Sequence, residues 1–262
     1  MLVAIRVANN QQVCAKDEAN SNAPFACPKC RREVLLRQVK SSTPYFAHLR
    51  PEGCTYGQSE TTAHRLAKLD IYLALRRHPS ATEVTLERPF GTVRADVFAR
   101  INGVPVAIEM QISNLSPESI SYRTQEYTRQ GIHVLWLLHW TPKFDTPRYS
   151  PRPFERWLHS LYFGRVYVWK EGLTVLPFRF QEYGTIVPPR RWQTKPGRIK
   201  RSHSYLRRSK RYRVAISGKA LDLVRDFHPV TRDVWRGKTS YVPEARIFLS
   251  MGGRTIVRVT SH

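Results

Sequence analysis

Long apolar runs, acidic residues and cysteines are all scarce in this 262-residue chain. The longest apolar runs, Ile132 to Leu138 and Val104 to Ile108, fall far short of the ~20 residues that span a bilayer. The N-terminal MLVAIRVANN carries too brief an apolar stretch, and no cleavage-like segment, for a signal peptide. The expected compartment is therefore the cytoplasm, where thiols stay reduced and structural disulfides are not expected. Acids number 20 against 43 Lys and Arg, a net charge of +23. Such an excess points to a polyanionic partner, with nucleic acid ahead of an anionic membrane surface. Apolar content of 41% and charged content of 24% exclude wholesale disorder and fibrous classes. The length admits one large domain or two modest ones.

The charge is unevenly spread. Residues 1–140 carry a net +5 and residues 141–262 a net +18. The excess peaks between Arg190 and Arg213, a run with 11 basic residues and no acid. Its cations are Arg190, Arg191, Lys195, Arg198, Lys200, Arg201, Arg207, Arg208, Lys210, Arg211 and Arg213, interleaved with Trp192, Tyr205 and Tyr212. Contact with phosphates, helped by stacking of the aromatics on bases, is one reading; a solvated linker is the other.

Cys27-Pro28-Lys29-Cys30 is a C-x2-C pair, followed by His48 and Cys54. That spacing suits a tetrahedral Cys3His zinc site with no open position, a folding device and not a catalytic one. Between its halves, Glu33 to Lys40 and Tyr45 to Leu49 read as strands joined by a turn. A redox role for the C-x2-C pair lacks the expected βαβ surroundings. Cys14 lies outside the spacing and reads as a buried small side chain, with replacement of Cys54 as a ligand the alternative.

Residues 59–138 read as α-β-β-β-α-β. A helix over 59–77 has Ser59 as its N-cap, apolar positions at Leu66, Leu69, Leu73, Ala63, Ala67 and Ala74, and His78-Pro79 as its stop. Strands follow at Ala81 to Arg88, Thr92 to Ile101 and Val104 to Ile112. Asn102-Gly103 between the last two is a type I′ hairpin signal. A helix starting at Ser116-Pro117 and ending before Gly131 leads into a buried strand, Ile132 to Leu138.

The two-residue turn fixes a register. Ile101 faces Val104, so Asp96 faces Glu109, and Gln111 projects to the same face, with Val106, Ile108 and Met110 on the other. Opposed carboxylates require one of three things: a proton, pairing with Arg94, or a divalent cation. Glu60, His64 and Lys68 form one helical stripe, either solvated or packed onto that carboxylate pair.

The helix–strand order, with CPKC at 27–30, YFAHL at 45–49, SETTAHRLAK at 59–68, RADVFA at 94–99, AIEMQIS at 107–113 and the run from Tyr122 to Leu138, resembles the competence protein CoiA-like family of the PD-(D/E)XK nuclease superfamily. These segments cover a little under half of the chain. The resemblance implies an α/β, restriction-endonuclease-like αβββαβ core with an N-terminal zinc knuckle. It implies that Asp96 and Glu109 ligate Mg2+ or Mn2+, joined by the carbonyl of Met110, and that Gln111 stands where the catalytic lysine is usual. Glu60 matches an acid on the first helix of several branches, and Arg123 and Tyr127 match polar positions aimed at the site. The missing lysine's charge then comes from Lys68 or from a second metal, whose site Glu60 would complete or whose waters it would orient, and His64 serves either as an acid–base group or as a packing residue. The expected organisation is a zinc-bearing region at 1–57, a nuclease core at 58–140 and a basic α+β region at 141–262 that contacts DNA. Three functions remain open: a metal-dependent deoxyribonuclease acting in DNA uptake, recombination or defence, a non-catalytic DNA-binding protein on the same scaffold, and a processor of single strands or RNA.

The C-terminal half is expected to hold a helix over Phe154 to Phe163 and a hairpin about Glu171-Gly172. A strand and then a helix follow within 212–227, and a last hairpin turns at Gly252-Gly253. Its four tryptophans, at 157, 169, 192 and 235, read as packing residues.

Overall fold

Asn102 and Gly103 both take positive φ, +50° and +80°, the signature of the two-residue turn that aligns the centre of the protein. The structure, a computed structural model, describes residues 1–38, 43–50, 53–57, 60–112, 114–238 and 240–250. Ser59 and the glycine pair at 252–253 lie outside these residues.

The fold is mixed α/β, with two large sheets and few helices. The first sheet is antiparallel and holds β1 (Val3–Arg6), β2 (Gln11–Cys14), β3 (Phe25–Ala26), β4 (Glu33–Arg37) and β5 (Tyr45–His48), in the order β2-β1-β3-β4-β5. After it comes α1 (Thr62–Arg76), capped by the Thr61 side chain, which accepts from the His64 N–H.

Next are β6 (Ala81–Leu86), the short ribbon of β7 (Pro89–Phe90) with β8 (Val93–Arg94), then β9 (Val97–Ile101) and β10 (Val104–Gln111). Helix α2 (Pro117–Arg129), capped by Ser116, leads to β11 (His133–His139). The order α1, β6, β9, β10, α2, β11 is the one read from the sequence. β10 lies antiparallel to β9 and parallel to β11, and β10–β11 is almost wholly buried.

Helix α3 (Pro153–Leu161), β12 (Val166–Glu171) and β13 (Thr174–Val187) follow, then β14 (Arg191–Gln193), β15 (Ile199–Arg201) and β16 (Tyr205–Ser217). The chain finishes with β17 (Leu221–Asp222), β18 (Phe227–Arg232), β19 (Trp235–Arg236), β20 (Tyr241–Val242) and β21 (Ala245–Ser250). The second sheet runs β16-β13-β12-β11-β10-β9-β6, with β17 beside β13 and with β21 joining β18 to β11. Among the described residues no helix is long and apolar enough to cross a membrane.

Four local expectations change. The strand expected over 92–101 is split, because β8 turns away to pair with β7 and the chain at 95–96 binds residues 87–88 instead of β10. Leu66, expected in the apolar stripe of α1, is half exposed. The buried face contains Lys68, Ile71 and Leu75, and Lys68 lies about 200° around the helix from Leu66. The helix-like stretch before Phe227 is not helical: Asp222 accepts the N–H groups of Val224 and Arg225 through its side chain and closes a turn. Trp157 and Trp169 pack in the core as expected, whereas Trp192 and Trp235 are exposed.

Candidate active site and metal centre

The register set at 102–103 holds out to Val97 opposite Ile108. One step further stand Asp96 and Glu109. There the strand pairing lapses, and the Met110 N–H donates to Asp96 Oδ2 at 3.0 Å. The Asp96 carboxylate thus takes a hydrogen bond that a strand carbonyl would otherwise accept, at the edge of the sheet. Glu109 lies beside Trp136 in the parallel register with β11, under α2.

Each acid is held by a different helix. From α1, His64 Nε2 lies 3.1 Å from Asp96 Oδ2, and Lys68 Nζ lies 3.7 Å from Asp96 Oδ1. From α2, Arg123 and the Tyr127 hydroxyl both donate to Glu109 Oε1 at 2.5 Å. Arg123 also donates to the Arg94 carbonyl at 3.0 Å, tying β8 to α2. Arg94 itself stacks over the Tyr56 ring at 3.8 Å.

Lys68 is 2% exposed and sits among three carboxylates: Glu60, Glu87 at 2.7 Å, and Asp96. Glu60, expected on the helix, precedes its Thr61 cap, yet it still meets His64 and Lys68, which face the carboxylates, with His64 Nδ1 3.8 Å from Glu60. Gln111 is buried at the end of β10. Burial pushes Asp96 upward, but Lys68 and the His64 hydrogen bond outweigh it and hold the carboxyl well below its ordinary value. Glu87 responds in the same way, to about 2, through burial opposed by Lys68 and Arg94. Glu109 goes the other way: burial raises its pKa despite Arg123. Two acids one register step beyond a hairpin thus differ in readiness to hold a proton.

Glu87 is the site residue that sequence reasoning missed. It takes a positive φ of +50° just after β6, accepts the Leu2 N–H at 3.1 Å, and keeps a buried Oε2 without a hydrogen-bond partner. In the sequence it is merely an acid at the end of a strand, beside Arg88-Pro89. Replacing Lys68 by Met strands three buried acids, so Lys68→Met should cost about 3–5 kcal/mol in urea unfolding. Adding Glu87→Gln to that variant should restore part of the loss, because one uncompensated charge is then removed.

A cleft of about 470 Å³ opens onto these groups, lined among others by Lys29, Tyr56, Glu87, Arg94, Asp96 and Arg123. One wall comes from the knuckle. Cys27, Cys30, His48 and Cys54 bring their ligand atoms within 4.8 Å of one another, an arrangement that could hold a metal ion such as zinc. Cys27 and Cys54 sulfurs lie 3.9 Å apart, and Cys30 Sγ lies 3.3 Å from His48 Nε2. A tetrahedral zinc with ~2.3 Å Zn–S bonds separates its sulfurs by roughly 3.8 Å, so the four atoms fit. The turn is shaped by Cys27 N–H to Arg32 carbonyl and Arg31 N–H to Cys27 carbonyl bonds, with Arg31 at φ +60°. Burial leads the effects on Cys27 and raises it to about 11; at Cys30, hydrogen bonds from Arg32 and His48 overcome desolvation and lower it to about 6. Cys14 is buried elsewhere and stays outside the cluster. Among the described residues this is the one group of three or more ligand-type side chains so closely gathered.

The basic run does not form an irregular linker. Its residues build the outer part of β13–β16 and the β14–β15 ribbon.

A mixed α/β sheet, a Cys3His cluster that could hold a metal ion, and a cleft that presents Glu87 and Asp96 beside Lys29, Arg94 and Arg123 thus stand together. Residues 60–149 match the family described as "Competence protein CoiA, nuclease-like domain", and residues 8–57 match "Competence protein CoiA, N-terminal domain". The two matches together take in a little over half of the chain, which belongs to the CoiA-like family. It is similar to Competence protein CoiA of Bacillus subtilis (strain 168), 28% identical over 117 residues, 44% of this chain and 31% of that protein. The matched stretch therefore spans about a third of the relative's length. No solved structure matches this chain.

Proposed function

We propose that the chain is a metal-dependent nuclease that hydrolyses DNA phosphodiesters on a PD-(D/E)XK-like core. Residues 1–57 serve as a zinc-stapled wall, 58–140 as the catalytic core and 141–262 as the DNA-holding region. The observation that carries the reading is that Asp96 and Glu109 stand just past the last paired residues of the hairpin, Asp96 beside Lys68 of α1 and Glu109 beside Arg123 of α2, with Asp96 and Arg123 lining one cleft and Glu109 and Lys68 buried.

The donors suit a hard divalent cation: carboxylate oxygens, a main-chain carbonyl, and a buried Glu87 oxygen with no hydrogen bond. Asp96, Glu109 and the Met110 carbonyl would hold Mg2+ or Mn2+, which supplies a Lewis acid and a bound water of lowered pKa. The protein's own groups then orient the substrate and manage charge. Lys29 and Arg94 line the cleft and attract the phosphate. Lys68, locked by its three acids, stays cationic and counters charge developing on the phosphate, in place of the lysine that Gln111 replaces. The Gln111 amide orients water at the end of β10. Arg123 and Tyr127 fix the Glu109 carboxylate, and Glu60 and His64 fix Lys68 and Asp96 from the helix side. The Cys3His group holds a structural zinc, without an open position for chemistry.

A second reading is favoured by one specific feature: Asp96 and Glu109 are each already matched by a cationic side chain. A nuclease scaffold that only binds DNA would look like this. Nicking of supercoiled DNA with Mg2+ and Mn2+, against an EDTA control, separates the two. Metal-dependent nicks support the enzyme; salt-sensitive retention without nicks supports the binder.

A further inference from the structure

Beyond residue 182 the β13–β16 hairpin leaves the sheet. β12 pairs with β13 at residues 174–178 only, and the β13–β16 pairing shifts register between Glu182 and Gly184. From there a single register runs outward without a break: Gly184 opposite Arg208, Ile186 opposite Leu206, Arg191 opposite Arg201, Gln193 opposite Ile199. Backbone bonds from Ser202 to Arg190 and from Thr194 to Arg198 carry it across the gaps, and Gly197, at φ +79°, closes the tip. At ~3.3 Å per residue, the arm from Gly184 to Thr194 is roughly 35 Å long.

Nothing about this ribbon suits it to standing alone in water. Ile186 is 76% exposed and Leu206, directly across from it, 57%; Ile199, Tyr205 and Trp192 are also open. Arg191 and Arg201 are opposed across the strands, a like-charge pair that weakens a ribbon unless an anion lies between them. No acid occurs between Glu182 and Asp222, so the chain supplies no counter-charge along the arm itself. At the base, Glu182 pairs with Arg208.

We propose that this arm lies in the major groove of duplex DNA, which makes double-stranded DNA the substrate of the site described above and rests on that reading of the site. The major groove, about 12 Å wide, admits a two-stranded ribbon. Cations on both strands of the arm, Arg190 and Arg191 on one, Arg198, Lys200, Arg201 and Arg207 on the other, meet the phosphates of both groove walls. Ile186 and Leu206 meet base edges and thymine methyls between them. A single-strand site needs a concave cationic channel with aromatics in series. Here Trp192 and Tyr205 share a single recess with Val187, Arg190, Arg191 and Ser202, one pocket and not a channel with aromatics in series.

The test is protection of guanine N7 from dimethyl sulfate on a 40-base-pair duplex without added Mg2+ or Mn2+, with fluorescence anisotropy on the duplex and on one of its strands. The wild-type chain should protect N7 positions and prefer the duplex. Arg191→Ala/Arg201→Ala should weaken duplex binding on the order of tenfold at 0.15 M salt, with a log–log salt slope shallower by about two, and so reduce that protection at a fixed, sub-saturating protein concentration. Arg191→Lys/Arg201→Lys should retain binding, and circular dichroism checks that both fold. Unchanged N7 protection in the alanine variant, absence of protection in the wild type, or equal losses on single strand and duplex would each overturn the proposal. Cleavage by Glu109→Gln, read separately with Mn2+, reports on the nuclease reading whatever the arm does.

Discussion

Cys27→Ser and Cys54→Ser chains are expected to lose their bound zinc and to melt roughly 10 °C or more below the wild type. Backbone pairing between short strands holds the N-terminal sheet only weakly. Its strands are short, β3 only two residues, and its apolar side chains, the tilted Phe25–Phe46 pair among them, join the core shared with the rest of the described residues. The two substituted sulfurs are buried 3.9 Å apart, and without a metal they leave thiols facing each other in the interior. A closed tetrahedral site converts that arrangement into a cross-link between the knuckle, β5 and the segment around Cys54. Metal content by plasma mass spectrometry and melting curves with and without chelator provide the check. The effect should reach the cleft as well, because Pro28, Lys29, Thr55 and Tyr56 form its wall. A wild-type chain that carries no zinc and melts unchanged in chelator would contradict the assignment.

The second large effect concerns chemistry. Asp96→Asn and Glu109→Gln should each lower metal-dependent cleavage of DNA by about 10³-fold or more, since each removes one of two carboxylates on which cation binding depends. Binding of DNA should survive both, because the cations that hold phosphate lie on other elements. The two variants should differ in stability. Asp96 is a depressed carboxyl tied to Lys68, so neutralising it loosens a buried ion cluster. Glu109 is raised by burial, so the neutral amide suits its surroundings better, although its bond to Arg123 weakens. Urea midpoints measured beside the cleavage rates separate lost catalysis from lost folding. Equal cleavage by either variant and the wild type would refute the assignment.

Much of the centre was legible because one dipeptide carries it. Asn102-Gly103 dictates a turn, the turn dictates a register, and the register predicts the partners out to Val97 and Ile108. The caps at Ser116 and Gly131 were equally local signals. What stayed hidden depends on contacts distant in the chain. Lys68 is buried because three acids from other segments neutralise it, and hydrophobic periodicity cannot register a charge in a core, so Leu66 was placed on the wrong face. Glu87 reaches the cluster through a left-handed backbone turn that no pattern of residue types announces. The basic run showed its charge but not its pairing: Arg-rich composition says that a polyanion is near, and only coordinates say that the cations stand on a projecting ribbon.

Cleavage by this site would require a divalent cation at Asp96 and Glu109. Titration of the zinc-loaded protein with Mn2+, followed by electron paramagnetic resonance, measures that directly. A saturable Mn2+ site in the wild type, absent or at least tenfold weaker in Asp96→Asn and Glu109→Gln, is the predicted result. Equal Mn2+ binding by all three chains, or none by the wild type, would contradict it.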